Sequence, residues 1–322
     1  MTAEIQSSPA PRITPPHPQW QQDLIARDAP AAGKADSWDE LNHLDEVYLE
    51  FSMASNIPRG LILWGAIACL AAGLWLSYLM FKDPSALSEL KGWIVCVSLV
   101  MWLIAFSHGL FFLRLELCLP KDRPVRFNRA QGKVYANTYT WNLNPLGRWK
   151  GGARVFDWST LQAEITKQGQ DSGELSIERY SLDLVACKPG LFEETDRLRL
   201  QHGAQTTRQF EEQWEFLRRY MNNGPADLPP QNLRDQTPGF IDCLLFAMPW
   251  FAPTRTGRRA RQRMRGFFGV LMMVLMSLAF PLLLLFGLGN FIVMHVAPEA
   301  VWPRGMDEAS KRRNTSPDST TI

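Results

Sequence analysis

Three stretches of this 322-residue chain lack any Lys, Arg, Asp or Glu: Gly60–Phe81, Gly92–Leu113 and Phe267–Ala297. At 1.5 Å per helical residue, each is long enough to cross a hydrocarbon core of about 30 Å. A mean hydropathy of −0.15 therefore misleads, because the apolar residues are concentrated rather than spread. Cysteine is scarce too. Cys69 and Cys96 sit inside charge-free runs, Cys118 follows one, and Cys187 and Cys243 stand alone. No C-x-x-C or Cys/His spacing occurs, which excludes a disulfide framework and a structural zinc. The N-terminus has no basic stretch followed by an apolar one, so no cleaved signal peptide is expected.

Catalytic signatures are likewise missing. There is no G-x-S-x-G, H-E-x-x-H, Walker or G-x-G-x-x-G pattern, and Gly132-Lys133 lacks the flanking residues of a phosphate loop. Of the five histidines, only His43 has carboxylates at helical spacing, Asp39 and Glu46, with no second ligand of metal-binding type nearby. His108, near the end of the second run, is the one candidate for intramembrane function; a hydrogen-bonded helix-end histidine is the plainer reading. These absences point to a protein that acts by binding, with no cofactor, metal or nucleic-acid partner.

What is present is ordered along the chain. Residues 1–35 are rich in Pro, Ala and Ser and are expected to form a disordered tail. In 36–56, Trp38, Leu41, Leu44, Tyr48 and Phe51 recur at helical spacing among acids, which predicts an acidic amphipathic helix. It is either a solvated face or a docking element for the basic run described below. Residues 60–113 form a predicted transmembrane hairpin. Within it Gly65, Cys69, Gly73 and Ser77 place small residues on one helix face, a candidate packing seam. Residues 225–265 read as a linker with an apolar, proline-broken interfacial segment at Pro238–Pro253. Its end carries Arg255, Arg258, Arg259, Arg261, Arg263 and Arg265, which either contact anionic lipids or merely set topology. The stretch 267–297 is expected to be a third transmembrane segment, a single span being favoured over a hairpin at Pro281; it is either one long tilted helix or a span followed by an interfacial turn near Gly287–Asn290. Residues 298–322 are expected to be a disordered tail.

Charge sets the orientation. Residues 1–59 carry 4 basic and 9 acidic side chains, whereas 114–265 carry 24 and 17. Arg114, Lys121, Arg123, Arg126 and Arg129 after the second run, with the arginines before the third, predict that 114–265 and the N-terminus are cytoplasmic. This makes a multi-pass membrane protein with its N-terminus and main domain cytoplasmic.

Residues 114–224 alternate in the strand period and finish on one amphipathic helix. Val125–Phe127 and Lys133–Trp141 suggest a hairpin, Thr206-x-x-Gln209 a capping box, and Trp214 and Leu217 the buried face of a helix that stops at Gly224-Pro225. Six or seven strands closed by one helix resemble the pleckstrin-homology-like (PH-like) architecture, with Asn142–Gly152 as a long insert. The fold class is therefore a membrane protein with α-helical transmembrane segments and a β-rich, PH-like cytoplasmic domain. Leu119–Tyr135 (LPKDRPVRFNRAQGKVY), Val155–Ser159 (VFDWS) and Ala186–Gly190 (ACKPG), placed after a helical hairpin, resemble an uncharacterised family of proteobacterial inner-membrane proteins. That resemblance implies a setting near type VI secretion and polymorphic-toxin genes. It implies an immunity or accessory protein whose partner is a cognate toxin or effector. A regulatory or scaffold protein that binds lipid headgroups or a cytoplasmic partner is the alternative.

Overall fold

The acidic stretch after Ser37 is a β-hairpin, not the expected helix. In the computed structural model, β2 (Leu41–Leu44) pairs antiparallel with β3 (Tyr48–Phe51). The Asp45 carboxylate accepts the backbone N–H groups of Val47 (2.7 Å) and Tyr48 (2.8 Å), closing a tight turn where a helix would have continued. Leu49 and Phe51 then point into the core while Tyr48 and Glu50 face away. The structure describes residues 12–56, 59–82, 92–140, 142, 144, 147, 149–170, 177–204, 206–235, 237–264 and 266–312.

Strand β3 pairs next with β4 (Val125–Asn128), Leu49 opposite Phe127 and Phe51 opposite Val125. Between these two neighbours the chain departs to build α1 (Leu61–Lys82) and α2 (Gly92–Cys118). Both helices are long and apolar enough to cross a membrane. They are thus an insertion into a strand connection, and the β-rich unit starts well before residue 114. α2 runs past Leu113, and the Arg114 guanidinium lies 4.5 Å from the ring centre of Trp149.

The remaining strands are β5 (Lys133–Thr140), β6 (Lys150–Asp157), β7 (Leu161–Gln170), β8 (Ile177–Cys187) and β9 (Glu194–Ala204). One sheet has the order β2-β3-β4-β5-β6 and the other β1-β7-β8-β9, where β1 is Trp20–Asp23. Within the Asn142–Gly152 insert, 143, 145, 146 and 148 lie outside the described residues, and Lys150–Gly152 belong to β6. Helix α3 (Arg208–Asn223) buries Phe210, Trp214 and Leu217 against both sheets, Trp214 lying 5.5 Å from Trp158. The expected capping box does not form: Thr207 stands at the N-cap and makes no side-chain cap bond. Gly224 ends the helix at φ +89°, a conformation that favours glycine.

Residues 12–35 are not a free tail. β1 joins β7, and Leu24 and Ala35 are in the core. Thr14 also bridges Glu193, and carbonyls of the proline-rich segment left free by β1 turn to α3. Trp214 Nε1 donates to Ile25 O (2.7 Å), and Arg218 donates to the carbonyls of Ala26, Ala29 and Pro30. Residues 1–11 lie outside the described residues.

The third charge-free stretch is two helices, α6 (Phe267–Leu278) and α7 (Phe280–Val296), bent by 83°. Pro281 lacks the N–H that would carry the helical ladder through this point. At that angle the 12 residues of α6, about 18 Å long, advance only about 2 Å along the axis of α7. The stretch is thus not one unbroken tilted helix but a bent pair, either a broken span or a re-entrant loop. α7 packs on the start of α1: Trp64 Nε1 donates to Leu285 O (2.7 Å), and Asn290 Nδ2 to Arg59 O (3.1 Å). Their backbones touch at Gly60 and Gly289, where an added Cβ would meet opposing backbone at 2.2 Å and 2.5 Å.

The expected C-terminal tail also docks, as far as residue 312. Trp302 covers Arg126, and α8 (Met306–Lys311) places Asp307 and Ser310 on the same guanidinium. Lys121 N donates to Pro298 O (2.9 Å) and Asn128 Nδ2 to Ser310 O (2.9 Å). Residues 313–322 lie outside the described residues.

Candidate functional site: a cleft where the sheets meet the long helices

A cavity of about 760 Å³ opens where the β2 entry, the β3–α1 connection, the 232–254 segment and α7 converge. That volume lies within the ordinary range for small-molecule sites, about 300–1,000 Å³. Two successive non-glycine residues at its edge, Trp38 (φ +59°) and Asp39 (φ +62°), are left-handed. Each such residue costs on the order of 1–3 kcal/mol and persists only where its surroundings hold it. Here the Asp36 carboxylate accepts Trp38 N–H (2.9 Å), and Glu212 accepts the Trp38 indole N–H (3.1 Å).

Behind this edge lies Glu40, 8% exposed and paired with Arg234 at 2.7 Å. Burial pushes the Glu40 carboxyl up, and the Arg234 guanidinium opposes that rise. Opposite them is Arg59, 3% exposed. It donates to the carbonyls of Glu116 (3.0 Å), Leu119 (3.1 Å) and Pro120, so a cation closes the negative end of α2. Its Nε–H has no hydrogen-bond partner, and neither does the buried Thr254 hydroxyl. Lys121, Asp235 and Asp242 complete the charged lining, while Leu245, Phe246 and Met294 supply an apolar wall. Among the described residues Lys121, Asp235 and Asp242 have no salt-bridge partner.

α4 (Phe240–Leu244) holds that wall against α7. Phe240 meets Phe291 and Phe246 meets Phe286 edge-on, at 5.0 Å and 5.7 Å between ring centres. The backbones approach so closely that a Cβ on Gly287 would sit 2.0 Å from Leu244 O. Cys243 is the one thiol on the lining, and burial pushes it up to about 11, so it stays neutral and is a poor nucleophile at physiological pH. No histidine lines the cavity, and no group of three metal-ligating side chains occurs among the described residues. The arrangement suits recognition of a ligand with both charged and apolar parts.

The residues singled out from sequence lie elsewhere. On α1, Gly65 faces open space and Gly73 meets only Ala105 of α2, at 4.0 Å, while Ser77 bonds back to Gly73 O. The tight α1–α2 approach is instead at Gly109 against Leu70. Of the arginine run, Arg255–Arg263 forms α5. Arg261 donates to Trp250 O (2.6 Å) and Ala252 O (3.0 Å), and Arg258 is exposed. The Arg255, Arg259 and Arg263 side chains and all of Arg265 lie outside the described residues. Among the described residues, the acids of the β2–β3 hairpin pair with Arg126, Arg129 and Arg234. His43 bonds Asp45 at 2.8 Å and stacks on Tyr48, and His108 bonds Ile104 O within its own helix. The lining of the cleft was missed because its residues come from six separated segments. The one available signal was Arg59-Gly60 directly before the first apolar run, with Gly289-Asn290 inside the last.

A family model described as a family of unknown function (DUF6708) matches residues 101–314. No curated protein and no solved structure matches the chain.

Proposed function

The chain belongs to the DUF6708 family, and we propose that this protein is a membrane-embedded binding protein that acts without catalysis. In this reading α1 and α2 cross the bacterial inner membrane, and α6–α7 re-enter from the cytoplasmic side without crossing. The β-rich unit, PH-like in its two sheets closed by one helix, then stands in the cytoplasm with both chain ends. The docking of 298–312 on β4, beside the strand that leads into α1, supports placing both ends on one side. The basic residues after α2 support the cytoplasmic side.

The observation that carries the binding role is the cleft. It is a cavity with strained residues at its edge, a buried guanidinium with an unpartnered N–H, and unpaired charges of both signs. Such features cost stability and are typical of sites maintained for a ligand.

The setting is that of an immunity or accessory protein for a type VI secretion toxin, as the family resemblance of the Leu119–Tyr135 segment implies. Co-expression with the toxin encoded beside it tests this, with an unrelated toxin as control. The wild-type chain should protect against the neighbouring toxin only. The Ser55→Trp variant, which fills the cleft from an exposed position, should lose protection at unchanged protein level. Survival equal to the empty vector for every neighbouring toxin would sink the immunity role. Full protection by Ser55→Trp would move recognition away from the cleft.

A further inference from the structure

The cleft brings together opposite charges that do not neutralise one another. Glu40 and Arg234 pair, but Lys121 on one side and Asp235 and Asp242 on the other have no ion-pair partner among the described residues. Opposite charges on one cavity gain by pairing when they can reach. Here separate backbone segments hold them more than salt-bridge distance apart. An added molecule carrying both signs would satisfy them together, whereas a purely anionic one would meet the two aspartates. Arg59, buried and with its Nε–H unpartnered, adds a fixed donor on the cationic side.

The position of the cavity narrows the source of such a molecule. Its far wall is α7, which packs on α1 through Leu63, Val293 and Ala297. Phe246 and Leu233 both line the cavity and are exposed, at 41% and 56%. On α1, Leu61 and Ile62 are exposed just beyond Arg59. A ligand seated here has its polar part inside the cleft and apolar side chains at the mouth, level with the start of a helix of membrane-crossing length. We infer that the cleft takes the headgroup of a zwitterionic aminophospholipid, the phosphate meeting Arg59 and Lys121 and the ammonium meeting Asp235 and Asp242. This deepens the reading of the cleft as the binding site and rests on it.

The test uses the purified full chain in a mild detergent, titrated calorimetrically with dihexanoyl phosphatidylethanolamine. Dihexanoyl phosphatidylglycerol and glycerophosphoethanolamine serve as the anionic and the soluble comparisons. Phosphatidylethanolamine should bind saturably and at least about tenfold tighter than either. Lys121→Glu, at a partly exposed position, should weaken that binding about tenfold or more with unchanged circular dichroism. Arg258→Glu on the exposed face of α5 should leave it unchanged. Equal or tighter binding of phosphatidylglycerol, no effect of Lys121→Glu, or no saturable binding would overturn the inference. Glycerophosphoethanolamine binding as tightly as the lipid would overturn the membrane source. Loss of lipid binding with protection from the toxin intact would sink this ligand alone, and the binding role would stand.

Discussion

Replacing Trp302 with Ala should release the C-terminal segment from the sheet while leaving the sheet folded. Trp302 is 9% exposed, and the Arg126 guanidinium lies 4.3 Å from its ring centre. Removing a buried tryptophan costs about 3–5 kcal/mol. Because this ring rests on the outer face of a sheet rather than in the core, the low end, about 3 kcal/mol, applies. Of this, about 0.5–2 kcal/mol belongs to the cation–π contact. The Asp307–Arg126 ion pair adds little, because Asp307 is half-exposed and screened. At 1.4 kcal/mol per tenfold, about 3 kcal/mol makes opening roughly a hundredfold more frequent. Hydrogen exchange of the full chain reads this at the amides of Met306, Ala309 and Arg312, each bonded locally within 303–312. Their exchange should accelerate by that factor, while the β4–β5 ladder stays protected. A double-mutant cycle with Arg126→Ala should return a coupling of about 1 kcal/mol. Unchanged exchange at those amides, or equal acceleration through β4 and β5, would refute the docking. Activity of a periplasm-dependent reporter fused after Lys311 would refute the proposed cytoplasmic placement of this segment.

A Gly289→Ala variant should separate α1 from α7, because its Cβ would sit 2.5 Å from Gly60 O. Gly65→Ala, with nothing within 4 Å, should be silent, and cysteine cross-linking between Leu63 and Val293 distinguishes the two. A fragment of residues 119–224 should not fold alone, since it lacks the core side chains Leu24, Leu41, Leu49 and Phe51. A cooperative thermal transition for that fragment would contradict the shared core. The pH response of the C-terminal segment follows from Asp307. Its hydrogen bond to Arg126 lowers the carboxyl below its ordinary 3.8, so the proton binds more tightly once the segment is released. Docking is therefore fully supported above that value and weakens as pH falls through the lowered one. Limited proteolysis of 298–312 should rise in that acid window and not between pH 6 and 8.

Much of the architecture was written in local pattern. The two long charge-free runs read directly as α1 and α2, because a helix of that length needs only unbroken apolarity. The strands from Val125 to Gln201 and the buried face of α3 followed from two-residue and helical periods, since each element faces one core. Patterns failed where a segment is stabilised by something distant. Leu41, Tyr48 and Phe51 fit a helix by spacing, but β4, reached only after α1 and α2, offers β3 an open edge, and pairing with it decides the outcome. Residues 12–35 and 298–312 have too little apolar surface to fold alone and were read as tails. They are ordered because Trp214 and Arg218 of α3 donate to the first, and the Arg126 guanidinium of β4 pairs with Asp307 and Trp302 of the second. The cleft was the least visible feature. Each lining residue is unexceptional in its own segment, and its significance comes from the convergence of Arg59, Lys121, Asp235, Asp242 and α7. Sequence alone thus determined which segments are apolar and which alternate, because those are properties of neighbours along the chain. Tertiary structure decided what the ends cover, how the third apolar stretch bends and where the cleft opens, because those depend on surfaces brought together only by folding.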